Sequence, residues 1–443
     1  MKNTNYIPAL VSAALILLCA NSCGIYGTYK SDTPQEIENI QVPSYTEIFN
    51  EPELISLIDT ALAHNLNLKM AHERVRQADL QFTAAKLAYL PHIYVGGSPA
   101  AQISGAKGSQ PNITYTFGTA SWEIDIFGRT TNRKRIAKAI REEAADYEQA
   151  ARAELIAAVA TLYYNLQMLD AQILAMDIGE ANWKESVDAM KDMKEAGLAD
   201  EAGVSQFEGS YYATRANGKS LRLVRTLTEN SLLYLLGTDS GEIKRGRIFG
   251  SSEERQINSQ PIQDINLQAV RIRPDVKAAE MQLVQAFYNV NLARANCCPS
   301  INIGGTVGWS NGNLLFGAIG GLLQPLFNAG ENITQVKVSK SRLEEYQLAY
   351  ADALLNAGTE VNNAIASIKS YQDRMDDCAN RVEAMTRALE STQLLMKFGR
   401  GTYLEVLVAQ NDLLSAQVAE LQNKADILTS TVELFHALGG GSR

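Results

Sequence analysis

Histidine and cysteine are scarce in this chain: four and five among 443 residues. His64, His72, His92 and His436 share no metal-ligand spacing, so neither a zinc nor a di-iron site is expected. Cys297 and Cys298 are neighbours, badly placed to bridge each other, and Cys378 falls in a distant helical pattern. No disulfide framework is implied. Basic residues are outnumbered, 40 Lys and Arg against 49 Asp and Glu, for a net charge of −9. A phosphate-binding surface needs clustered cations, so nucleic acid is not an expected partner. No Ser/His/Asp constellation and no phosphate loop is present, which points away from an enzyme and from any cofactor. Beyond the N-terminus no run of 18 apolar residues occurs, so no spanning helix is expected there. A membrane role would then be peripheral or would use β-strands.

The N-terminus carries processing signals. Lys2 precedes an apolar run from Ile7 to Leu18, the length of a signal-peptide core. The run ends in Cys19-Ala20-Asn21-Ser22-Cys23, where small residues before a cysteine resemble a bacterial lipoprotein cleavage box. Cys23 would become the acylated first residue, carried on a polar tether; the alternative is an ordinary signal peptide with an incidental cysteine. Residues 1–22 are accordingly read as the signal peptide and 23–50 as the tether.

The remainder of the chain repeats itself. Asn67-Leu68-Lys69-Met70-Ala71 and Pro91-His92-Ile93-Tyr94-Val95-Gly96-Gly97 return as Asp275-Val276-Lys277-Ala278-Ala279 and Pro299-Ser300-Ile301-Asn302-Ile303-Gly304-Gly305. Gly197, Val204, Leu236 and Gly237 likewise match Gly399, Val406, Leu438 and Gly439. A period this long marks a duplicated unit and pseudo-symmetric assembly. Residues 51–237 form the first repeat, 238–265 a Ser-, Gly- and Gln-rich linker, and 266–443 the second repeat.

Each repeat opens with a helix stopped by proline, at Pro91 and Pro299. Strand-like runs come next: Ile93–Ala101 and Ile113–Trp122, then Ser300–Trp309 and Leu314–Leu322. Each has about the ten residues a tilted transmembrane strand needs. The next stretch, from Arg129 to about Glu195, has no proline and one glycine. Its apolar residues Leu155, Val159, Leu162, Leu166, Leu169, Ile173 and Met176 alternate steps of four and three, the coiled-coil period. The second repeat offers Val361, Ile365, Ile368, Gln372, Met375, Ala379 and Val382, with a return arm from Leu414 to Phe435. A continuous helix of this length would reach roughly 100 Å and must pack along other long helices. Turns are expected at Lys194–Asp200 and Lys397–Tyr403, where glycines suit left-handed caps. Two hairpins give four strands, too few to close a membrane barrel alone, so several chains must pool them. Three would give twelve.

The residues Pro52-Glu53-Leu54 through Asn65-Leu66-Asn67-Leu68, Trp122-Glu123-Ile124-Asp125-Ile126-Phe127-Gly128-Arg129, Arg273-Pro274-Asp275-Val276, Gln324-Pro325-Leu326-Phe327-Asn328-Ala329-Gly330, Tyr403–Gln410 and Ala437–Gly441 run in one order along nearly the whole mature chain. In this the chain resembles the TolC-like outer-membrane factors, and within them the lipoprotein branch serving multidrug efflux pumps of the resistance-nodulation-division type. The resemblance implies an α+β membrane fold. A homotrimer would close a twelve-stranded outer-membrane barrel, continuous with a periplasmic α-helical coiled-coil barrel. It further implies passive export, a periplasmic adaptor (membrane fusion protein) at the helix tips, an inner-membrane pump of that type, and outer-membrane lipid around the strands. Gly197, Leu198, Gly399, Gly401 and Thr402 become candidates for adaptor docking, though the glycines also simply permit turns. Glu405 becomes a candidate aperture gate, against the plainer reading of a solvated glutamate at a helix end. Tyr94, Trp122, Trp309 and Phe316 are candidates for an interfacial aromatic girdle; Trp122 could equally pack at the strand-to-helix junction. An exit duct for type I protein secretion or for metal-ion efflux are the alternatives within the same family. A soluble periplasmic coiled-coil scaffold lipoprotein is the alternative outside it.

Overall fold

The computed structural model describes residues 27–31, 44–102, 112–246, 267–310, 313–323 and 330–441. A short helix α1 (Tyr45–Ile48) precedes α2 (Pro52–His64) and α3 (Leu66–Leu87). Pro52 opens α2 in its first turn, where a missing N–H costs nothing, and the stripe Leu54, Ile58 and Ala61 is buried. The hairpin β1 (His92–Gln102) and β2 (Asn112–Ile124) leads into α4 (Arg129–Glu195) and α5 (Glu201–Leu235). In the second repeat, α6 (Pro274–Asn296) leads to β3 (Ser300–Ser310) and β4 (Asn313–Leu323). The helices α7 (Glu331–Asp373), α8 (Met375–Lys397) and α9 (Tyr403–Ala437) complete the order. The long helix expected from Arg129 to about Glu195 is a single element of 67 residues.

Two compact units form, and each draws on both repeats. The first contains the described parts of residues 1–34, 71–147 and 275–353; the second those of 35–70, 148–274 and 354–443. In the first unit the four strands make one antiparallel sheet in the order β1-β2-β3-β4. The two hairpins are thus joined through β2 and β3, and the register shifts once in β1 and once in β2.

In the second unit the heptad stripe of α4 forms the core. Leu155, Val159, Leu166 and Leu169 are buried, and the first two and Leu166 pack with Leu54, Ile58, Leu232, Val432 and Phe435. Tyr163 donates its hydroxyl to Glu51 at 2.8 Å and Gln167 its amide at 2.9 Å, which pins the entry to α2. Part of the expected linker is also held: Arg245 reaches Asp170 at 2.6 Å and Glu229 at 2.8 Å. Residues 247–265 of the linker lie outside the described residues.

Two details of the second heptad arm differ from expectation. The buried residues are Ala357, Val361, Ala364 and Ile368, whereas Ile365 is exposed. Val361 and Ile368 are buried where the heptad places them, and only the position between them moves, from Ile365 to Ala364. The pattern is also broken at Arg374, between α7 and α8. There the buried Asn423 donates its side-chain amide to the Tyr371 carbonyl at 2.9 Å, a polar insertion of the kind that breaks a helix ladder.

Candidate channel wall and docking tips

The sheet register sorts its residues onto two faces. Ile93 and Val95 on β1 share one face with Gly118, Ala120, Trp122 and Ile124 on β2. Ile301, Ile303, Gly305, Val307 and Trp309 on β3 continue it, with Leu314, Phe316, Ala318 and Gly320 on β4. The opposite face carries His92, Tyr94, Thr116, Thr119, Ser121, Glu123, Asn302, Thr306, Ser310 and Asn313, together with Leu315. Both faces carry exposed residues, Tyr94, Thr119 and Ser121 on the polar one among them. Ile303, Val307 and Trp309 are open, Phe316 is 75% exposed, and Gly308 and Ser310 on the polar face are buried. A sheet folded for water buries a row of large apolar side chains such as Ile303, Val307 and Trp309. Position 308 itself requires glycine: a Cβ there would stand 2.6 Å from the Tyr115 carbonyl oxygen. Among the described residues, β1 and β4 each pair along one side only.

Three of the four expected aromatics, Trp122, Trp309 and Phe316, lie on the apolar face; Tyr94 lies on the polar one, opposite Thr119. Trp122 lies two residues before the end of β2. Its ring is partly exposed, and its indole N–H donates to the Tyr89 carbonyl at 3.0 Å, tying the strand base to the end of α3. Tyr115, paired with Trp309, is an aromatic of the same face that single-strand reasoning missed.

The junction motif Trp122–Arg129 is likewise a built object. Asp125 caps α4, accepting from the backbone N–H of Thr130 at 3.0 Å and Thr131 at 2.7 Å, where a carboxylate meets the positive helix end. Arg129 pairs with Glu123 at 2.7 Å and donates to the carbonyls of Ala295 and Cys298. It therefore stitches the first hairpin to the α6–β3 corner of the second repeat. Its sequence signal was the motif itself. The corresponding Gln324–Ala329 segment lies outside the described residues.

At the other candidate region, in the second unit, α4 closes on Gly197 at φ 72°, with the Leu198 N–H donating to the Met193 carbonyl at 2.8 Å. The turn after α8 repeats the device: Gly399 has φ 67°, and the Arg400 N–H meets the Leu395 carbonyl at 2.9 Å. Asp200 caps α5 through the Gly203 N–H at 2.8 Å. Thr402 caps α9 in a reciprocal box: its hydroxyl accepts from the Glu405 N–H at 3.4 Å, and the Glu405 carboxylate accepts from the Thr402 N–H at 3.3 Å. Glu405 thus has a local structural role, and Gly401 packs against Leu395 beside it.

The two turns are brought together. Trp183, Val187, Met190, Val204 and Phe207 form a closed core, against which Tyr403 and Leu407 of α9 pack. Around it Leu198, Phe398, Leu404 and Val408 remain open, Leu198 at 74%. Sequence reading missed this Trp183 core, which the four-residue spacing of Trp183 and Val187 on α4 could have signalled. Cys23 lies outside the described residues.

Among the described residues no group of His, Cys, Asp or Glu is placed to hold a metal ion, and no helix is long and apolar enough to cross a membrane. In the first unit Asp146 stands among Glu142, Glu143, Glu280 and Lys277. Burial pushes its carboxyl up to about 6, the neighbouring carboxylates adding to this and Lys277 opposing it.

Two β-hairpins in one sheet, each followed by long helices, make up the chain, and the comparisons place it among outer-membrane efflux proteins. The family model described as "Outer membrane efflux protein" matches residues 57–238 and 267–440. The chain belongs to that family, whose members are transport proteins of the outer membrane. It is 26% identical over 426 residues to the cation efflux system protein CusC of Escherichia coli (strain K12), covering 91% of this chain and 90% of that one. The toluene efflux pump outer membrane protein TtgC of Pseudomonas putida is 25% identical over 469 residues, covering 98% and 96%. The probable outer membrane lipoprotein SilC of Salmonella typhimurium is 26% identical over 433 residues, covering 93% and 91%. Among solved structures, the outer membrane protein VceC of Vibrio cholerae superposes with a TM-score of 0.80 at 22% identity, over 90% of this chain and 98% of that one.

Proposed function

We propose that three copies of this chain close a twelve-stranded barrel, and that the trimer is the passive outer-membrane duct of a tripartite efflux pump. The observation that carries the reading is a four-stranded sheet with a row of large apolar side chains open on one face and two unpaired edges. Ile303, Val307, Trp309 and Phe316 lie exposed on one face, and among the described residues each outer strand has an unused edge. Open edges are not tolerated in lipid, so β4 of one copy pairs with β1 of the next. The polar face, lined by Thr119, Ser121, Asn302 and Thr306, then surrounds the pore, and Ile303, Val307 and Phe316 meet lipid. A periplasmic scaffold would need no such wall.

The open Leu198 and Phe398 beside the capped turns form the surface on which a periplasmic adaptor docks, and an inner-membrane pump supplies the driving force. Cargo is a small molecule or ion. The pump and adaptor choose it, since relatives named for cations and for toluene resemble this chain about equally. Cys23 carries the lipid anchor. Glu405 lends the aperture negative charge while it caps α9. Planar-bilayer recording of the purified protein tests the central reading: discrete conductance steps are expected, and a protein that gives none contradicts it. Glu405→Gln keeps the cap's acceptor and removes the charge. It should shift cation preference while leaving helix content intact, and unchanged selectivity would remove the aperture role.

A further inference from the structure

Between α6 and α7, in the first unit, lies a cavity of about 240 Å³. Its exposed lining is polar: Asn289 and Asn296 from α6, Gln335 and Arg342 from α7. Its buried lining is small and apolar, Ala286 and Ala293, with the half-buried Leu292 beside them. Asn296 is the last residue of α6, so the cavity lies close to the base of β3 at Ser300.

Two side chains of α7 are left with bonds to make. A serine inside a helix commonly donates to the carbonyl four residues back, as Ser186 and Ser220 do, at 2.9 and 3.2 Å. Ser339 lines the cavity, is only 5% exposed, and makes neither that bond nor any other among the described residues. Arg342 pairs with no carboxylate among the described residues, Glu344 and Glu345 of its own helix included. Residues three apart share a helix face, so the hydroxyl and the guanidinium address one space. A guanidinium, a hydroxyl and flanking amides form a donor set with no negative charge, which is the chemistry that receives an oxyanion.

We propose that this cavity binds a small organic anion on the pore side of the wall. Arg342 and Ser339 hold its oxyanion, and Ala286, Leu292 and Ala293 cover its apolar part. The pore-side assignment rests on the duct reading. Segment 27–31 lies along the other side of α6, where the Gly27 carbonyl accepts from Asn291 at 3.2 Å and Tyr29 meets the Phe287 ring edge-on. Asn289 and Asn296 stand roughly 140–160° round the helix from Asn291. A segment laid along the wall of a duct covers its outer side, so the cavity faces inward. Three copies then ring the pore with three guanidinium groups, which favours anions at that level.

Phosphorus NMR of the full-length protein in detergent reads the cavity without requiring a channel. The probes are phenyl phosphate and, separately, inorganic phosphate. Phenyl phosphate should bind saturably and roughly tenfold more tightly, because only its ring covers the apolar lining. Arg342→Gln should weaken it roughly tenfold or more, and Ser339→Ala roughly threefold. Lys337→Gln removes the same charge from an exposed position of α7 outside the cavity and should change nothing. Absent saturable binding, equal affinity for the two probes, or equal loss in Lys337→Gln and Arg342→Gln overturns the site. Thermal unfolding of Arg342→Gln should match wild type, since the side chain it replaces is exposed and unpaired.

Planar-bilayer recording then decides the side. Phenyl phosphate should lower the conductance of the wild type and leave Arg342→Gln unaffected. Binding by NMR without any block overturns the pore-side assignment. A protein that gives no conductance removes the duct reading and that assignment with it, while the NMR titration still decides the cavity.

Discussion

The same kinds of side chain meet opposite fates in two regions of this molecule. On the sheet, Trp309 and Phe316 are 44% and 75% exposed; at the helix tips, Trp183 and Phe207 are 0% and 1% exposed. Both sites are aromatic and both belong to ordered elements, so residue type does not explain the difference. The surrounding pattern does. The tip core has the helical spacing that turns one face inward, whereas strand alternation places Trp309 and Phe316 together on one open sheet face. The tip closes its aromatics into a core, and the sheet leaves them open.

That contrast predicts graded outcomes. Trp183→Ala opens a cavity in a closed core and should cost about 3–5 kcal/mol, read by urea unfolding of the helical signal. A loss under about 1 kcal/mol would mean that the tips are held chiefly by other contacts. Next comes the sheet, where Ala318 lies mid-strand on the apolar face and Thr306 on the polar one. Ala318→Arg should cost about 2–4 kcal/mol of insertion stability. Thr306→Arg should insert normally and reduce conductance. Equal tolerance of the two arginines would remove the assignment of faces.

Gly308→Ala is expected to cost about 1–3 kcal/mol because the new methyl meets fixed backbone, and it should slow barrel formation in lipid. Smaller effects fall on the helices. Thr402→Ala should cost about 1 kcal/mol by leaving the α9 terminus uncapped, seen as local exchange near Glu405.

Asp146 gives the smallest change, and it depends on pH. Because its folded carboxyl is raised from the ordinary 3.8 to about 6, the ionised form is disfavoured in the fold. Its contribution to stability is greatest below about pH 4 and is lost as pH rises toward 6. Asp146→Asn should therefore stabilise the protein at about pH 7, by about 1 kcal/mol or less after solvent screening, and flatten the profile between those values. A variant that is less stable at neutral pH would show that Lys277 outweighs burial.

Much of the architecture was legible because two periods are unambiguous here. The second hairpin, read as Ser300–Trp309 and Leu314–Leu322, extends by only one residue at three of its four ends, to Ser300–Ser310 and Asn313–Leu323. Strand alternation and the turn between them leave little freedom. The turns at Gly197 and Gly399 were legible because a left-handed residue is needed to close each helix. The face of Tyr94 was not, since one strand's alternation does not fix its register against a partner interrupted by a shift. The α7–α8 break was silent too: no proline or glycine marks Arg374, and the inserted Asn423 is far away in sequence. Glu405 was read as a charge, and its capping bonds emerge only when Thr402 is seen in place.

The shared-wall account is tested most directly by the mass of the particle that detergent extracts from the membrane. Three chains per particle, with cross-links forming between cysteines placed on the outer edges of β1 and β4 in different copies, is the predicted result. A stable particle of one chain, with its edge strands open and no such cross-link, would contradict it.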